Sequence, residues 1–146
     1  MQRYRSLLVL ALGLAAASCG GSSSSSNLPP GFYITISNMT FSPLDLRAPP
    51  GATITVINND GIQHSVTSET NPNDFTAGPT SGVSFDTKPF TGSATFTLQG
   101  ATNNTTLNYF CTVHKGSMAT PNGTITVDST ATPSAAPGTV TGGGGY

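Results

Sequence analysis

Three side chains that can hold a soft or borderline metal fall close together in Tyr109-Phe110-Cys111-Thr112-Val113-His114-Lys115-Gly116-Ser117-Met118: a thiol, an imidazole and a thioether. Cysteine and methionine sulfur favour copper, and histidine suits copper, zinc, iron or nickel. The chain's other histidine, His64, lies far upstream in Gly61-Ile62-Gln63-His64-Ser65-Val66. Two histidines, one thiolate and a weak axial methionine make the ligand set of a blue-copper electron-transfer centre. The spacing from Cys111 through His114 to Met118 suits a tight loop around one copper ion, with His64 supplied by a neighbouring strand. Such a set sits between the preferences of Cu(I) and Cu(II), so little has to move when an electron is exchanged.

Each residue also has an ordinary reading. His64 alone could be a turn histidine, Cys111 a small buried hydrophobe and Met118 core filler. Zinc is a rival ion, although methionine is not among its usual structural ligands. A Cys111 nucleophile with His114 as base would need an oxyanion-stabilising device, and none is evident. A multicopper oxidase would need further histidines, and the chain has only two. The expectation is a protein that is not an enzyme.

The elements that must position these residues are strands. Residues 32–37, 52–57 and 93–98 alternate apolar and polar side chains, the period of a half-buried strand. Asn58-Asn59-Asp60-Gly61 is a strong turn signal. It leads to an expected short strand over 62–67 that carries His64. Thr106 to Cys111 and Gly123 to Val127 are the last two expected strands, and residues 68–82 read as a long surface loop. Pro43, Pro49 and Pro50 interrupt regularity between the first two runs. Period two throughout, with turn chemistry between runs, predicts an all-β sandwich or barrel. Leu107, Tyr109 and Cys111 would share its apolar face, because alternate residues of a strand point the same way.

Charged residues make up only 8% of the chain, against roughly 25% in an average soluble domain. No basic block follows Arg5, so nucleic acid is set aside as a partner. Two arginines, the apolar run Ser6 to Ala17 and small residues after it predict a secretory signal peptide over 1–18. The run is too short for a membrane-spanning helix. Ala16-Ala17-Ser18-Cys19 resembles a bacterial lipoprotein signal, with Cys19 as the lipidated first residue; ordinary cleavage after Ala17 is the alternative. The Ser-rich stretch Gly20 to Asn27 then makes a flexible tether, within a lipid-anchored linker over 19–31. The expected location is the periplasm or cell surface, held to the membrane by the N-terminal lipid. With Cys19 so used, Cys111 has no disulfide partner, and an unpaired thiol in an oxidising compartment calls for a role. Residues 129–146, rich in Ser, Thr, Pro, Ala and Gly, read as a disordered tail.

Over residues 32–128 the chain resembles the cupredoxin family, of the plastocyanin and pseudoazurin type. The matching segments are Thr55-Val56-Ile57-Asn58-Asn59-Asp60 leading to His64-Ser65-Val66-Thr67-Ser68, then Phe85-Asp86 before Phe96. Tyr109 to His114 before Met118 is the most specific of them, and Gly123-Thr124-Ile125-Thr126-Val127 resembles the closing strand. The resemblance implies a Greek-key β-sandwich of about eight strands with one copper on His64, Cys111, His114 and Met118. It further implies the passing of single electrons between a redox-protein donor and acceptor; the expected working form is a monomer. A copper chaperone or store at the envelope would use the same ligands and is the alternative. Two departures stand out: the step from His114 to Met118 is one residue shorter than in the usual plastocyanin loop, and Ala119 to Asn122 intervene before the last strand.

Overall fold

The computed structural model describes residues 28–138. The expected signal peptide, Cys19 and the tether from Gly20 to Asn27 lie outside the described residues, as do 139–146. The order is β1 (Phe32–Ser37), β2 (Thr40–Ser42), β3 (Asp45–Ala48), β4 (Thr53–Asn58), β5 (Thr67–Ser68), β6 (Gly92–Thr97), β7 (Thr106–Phe110), a 3-10 turn (Lys115–Ser117) and β8 (Asn122–Val127). Two four-stranded sheets result, ordered β2-β1-β4-β6 and β3-β8-β7-β5. The pairs β1–β4 and β3–β8 run parallel, and the other neighbours antiparallel. This is the expected all-β Greek-key sandwich, with eight strands among the described residues.

Period-two patterning builds the core. In β8 the buried positions are Gly123, Ile125 and Val127, alternating with half-buried ones. Ile34 and Ile36 of β1, Ile54 and Val56 of β4, and Leu107 and Tyr109 of β7 belong to one cluster with Ile125 and Val127, and Cys111 and Met118 join it. Cys111 therefore keeps the inward phase of Leu107 and Tyr109, one residue past the end of β7.

Four sequence expectations change. β2 and β3 are strands that the prolines concealed. Each lies at a sheet edge, where a neighbouring proline costs no ladder hydrogen bond. The expected strand over 62–67 is largely absent: His64 makes only an isolated bridge to Phe90. Its successors donate their amides to side chains instead, Ser65 to Cys111 Sγ at 3.4 Å and Val66 to Thr87 Oγ1 at 2.9 Å. Nor is 68–82 wholly a surface loop. Glu69 is fully buried, and its carboxylate accepts the Phe75 N–H at 2.6 Å and the Asn122 side-chain amide. Finally, the expected tail begins by folding back: Gly31 and Ser134 exchange two backbone hydrogen bonds of 2.8 and 2.9 Å.

Candidate metal centre

His64 enters the site from a pinned turn. Asn58, at the end of β4, donates its side-chain amide to the carbonyls of Ile62 and Phe90 at 2.8 and 3.0 Å, and its Oδ1 accepts the Asp60 N–H at 3.0 Å. Asn58 is itself buried, so these bonds are made away from water, where an unmade one is expensive. Backbone bonds in both directions between His64 and Phe90 complete the placement. The imidazole of His64 is fully buried.

Cys111 and His114 come from the loop after β7. The Lys115 N–H bonds the Cys111 carbonyl at 2.7 Å, and the Ser117 N–H bonds the His114 carbonyl at 2.9 Å. Those bonds close a tight turn that faces both side chains toward His64. Beneath it runs a chain of hydroxyls. Ser65 Oγ accepts the Thr112 N–H at 2.9 Å and contacts Thr112 Oγ1 at 2.9 Å and Thr67 Oγ1 at 3.2 Å. Thr67 in turn donates to Asp86 at 2.9 Å. The segment that carries His64 and the ligand loop are thus tied by direct bonds.

The three expected ligand atoms converge. Cys111 Sγ lies 3.7 Å from His64 Nδ1 and 3.6 Å from His114 Nδ1, and the two Nδ1 atoms are 3.1 Å apart. A point in the plane of that triangle is about 2 Å from all three atoms, close to the bond lengths that nitrogen and sulfur ligands make to a transition metal. One ion fits without rearrangement. Among the described residues, His64, Cys111 and His114 are the group of His, Cys, Asp or Glu side chains placed to hold a metal together. Met118, next after the 3-10 turn, is buried in the core cluster that contains Cys111.

Electrostatics favour an unprotonated His64. Burial pushes its pKa below the ordinary value, the neighbouring His114 pushes the same way, and the Asp60 carboxylate opposes them. Asp60 Oδ2 stands 3.0 Å from His64 Nε2, on the side of the ring away from the cluster. The Asp60 pKa is itself lowered: burial pushes it up, but hydrogen bonds from Met39, Asn38 and His64 outweigh that. In the sequence Asp60 stands only within a turn signal. Its position four residues before a candidate ligand was the available signal. Ser65 and Thr112 carry no sequence signal beyond standing next to His64 and Cys111.

Residues 32–128 match the family of copper-binding proteins described as the plastocyanin/azurin family. No curated protein sequence matches the chain. Among solved structures, a Cu(I) form of an amicyanin mutant shares 18% identity over 74% of this chain and 95% of its own, with a TM-score of 0.50. A reduced Cu(I) form of another amicyanin mutant, at pH 4, shares 18% over 69% and 85%, with a TM-score of 0.50. A purple cupredoxin from Nitrosopumilus maritimus shares 22% over 68% and 100%, with a TM-score of 0.48. With a β-sandwich whose His64, Cys111 and His114 can hold one copper ion, and a family match that spans its folded strands, the chain belongs to the plastocyanin/azurin family of copper-binding proteins.

Proposed function

We propose that this protein is a type-1 copper electron carrier, exchanging single electrons between a donor and an acceptor protein at the cell envelope. The observation that carries the reading is the convergence of His64 Nδ1, His114 Nδ1 and Cys111 Sγ around one point. Bound copper would supply a one-electron Cu(II)/Cu(I) couple, and Met118 is the proposed weak axial ligand. Cys111 must lose its proton to serve as thiolate, so metal affinity falls in acid.

The chain's own residues do the rest. The Ser65 N–H donates to Cys111 Sγ and moderates its charge. Core side chains around Cys111 and Met118 keep water from the ligand atoms. His114 is half-buried where His64 is sealed, which makes its imidazole edge the proposed electron port. Val113 beside it and Ile62 beside the His64 segment are exposed apolar residues suited to a transient, weakly polar docking contact. A lipid on Cys19 would keep the carrier at the membrane, and the working form is proposed to be a monomer without catalytic activity.

The test is to add Cu(II) to the full-length exported protein and record visible absorption and electron paramagnetic resonance. An intense thiolate-to-copper band with narrow parallel hyperfine splitting is expected, and Cys111→Ser should abolish it. A colourless product that holds only Cu(I) would replace the shuttle with a copper carrier. Intact mass of the exported protein, compared with Cys19→Ala, reads out lipidation.

A further inference from the structure

We infer that Asp60 is a positioning residue for the copper centre, fixing His64 with its Nδ1 lone pair free and aimed into the ligand triangle. A carboxylate only accepts hydrogen bonds. Asp60 Oδ1 takes the Asn38 N–H at 2.6 Å, and Oδ2 takes the Met39 N–H at 3.0 Å together with His64 Nε2 at 3.0 Å. The neutral His64 ring therefore carries its one proton on Nε2, which leaves Nδ1 bare. Nδ1 is the atom that lies 3.7 Å from Cys111 Sγ and 3.1 Å from His114 Nδ1.

The carboxylate is itself immobilised. Asn38 and Met39 form the β1–β2 turn and both have positive φ, 52° and 61°, so their amides point together at one acceptor. The same turn reaches the other side of the centre: the Met39 carbonyl accepts the Ala119 N–H at 2.8 Å, directly after Met118. The Phe41 N–H donates to Thr120 Oγ1 at 2.6 Å. One hairpin thus steadies both His64, through Asp60, and the segment that follows Met118. This gives the residues between Met118 and β8 a physical role.

Asp60 also brings a negative charge to the back of a fully buried imidazole. A carboxylate hydrogen-bonded to a metal-ligating histidine makes that ligand more basic. Its charge stabilises Cu(II) more than Cu(I), so Asp60 lowers the reduction potential. This role rests on copper being the ion held there.

Asp60→Asn in the full-length protein tests it, because the amide oxygen can still accept a backbone N–H while the charge is gone. Competition titration should show Cu(II) affinity reduced about ten- to a hundredfold. The potential should rise, by about 59 mV for each tenfold loss of Cu(II) over Cu(I) affinity. A purely structural role for Asp60 would lower apo stability and leave the potential where it was, which would overturn the inference. Nitrogen-15 spectra of the metal-free wild type give a second readout that needs no variant. The His64 proton is expected on Nε2 and protected from exchange; a proton on Nδ1 would equally overturn it. Wild-type protein without a thiolate-to-copper band would sink the copper reading itself, an outcome distinct from either.

Discussion

Gly123 lies directly opposite Tyr109 in the β7–β8 register, and a Cβ there would overlap the Tyr109 ring. The ring has no room to retreat, because it is fully buried with Phe41 edge-on to it at 5.1 Å between centroids. The glycine is needed for space, so that the bulky residue two before Cys111 can lie in the core.

Gly123→Ala is therefore expected to destabilise the metal-free protein by about 1–3 kcal/mol, the usual cost of overpacking. Urea unfolding followed by far-ultraviolet circular dichroism measures it. An unchanged midpoint would mean that Tyr109 can move aside.

Acid should weaken the fold through Asp86. Burial pushes its carboxyl pKa up, but the Lys88 side chain and amide and the Thr67 hydroxyl more than offset that, and the net shift is downward. A group depressed in the folded state contributes stability above its unfolded value and loses it as pH falls through the folded one. The urea midpoint of the metal-free protein should thus fall as pH drops below the ordinary value of 3.8. In Asp86→Asn the decline should be shallower. Equal slopes in the two proteins would remove Asp86 from the account.

Copper should stabilise what it binds. At a thousandfold over its dissociation constant, a ligand held only by the folded state adds about 4 kcal/mol. Thermal unfolding with and without Cu(II) should show that rise in wild type and its near loss in Cys111→Ser. Equal gains in both would place the ion elsewhere.

The axial role proposed for Met118 has its own test. Met118→Leu keeps the buried volume nearly constant but removes the sulfur donor, which Cu(II) misses more than Cu(I). A higher potential with the visible band retained is expected. A potential equal to wild type would leave Met118 a core residue only.

The ligands were legible in the sequence because they are chemically scarce: with two histidines and one cysteine in the folded part, little else could be chosen. The strands of the centre were legible because β1, β4, β6, β7 and β8 alternate cleanly. The features that the sequence does not display depend on contacts distant along the chain. Asp60 bonds Asn38 and Met39 across 22 and 21 residues, and no local pattern announces that pairing. The segment after His64 resembled a strand by composition, yet its amides bond a thiol and a hydroxyl, and composition does not reveal acceptors. β2 and β3 are short edge strands whose flanking prolines imitate a loop.

The bridge between Gly31 and Ser134 sets how the molecule presents itself. Both ends of the folded chain leave from one pole, beside the start of β1. The turn that anchors Asp60 lies at the far end of that strand, about 20 Å away by ordinary strand rise. The described termini and the ligand cluster thus lie at opposite poles of the sandwich, and the His114 face stands clear of both termini, open to passing proteins. A bulky fusion after residue 138 would leave that face clear.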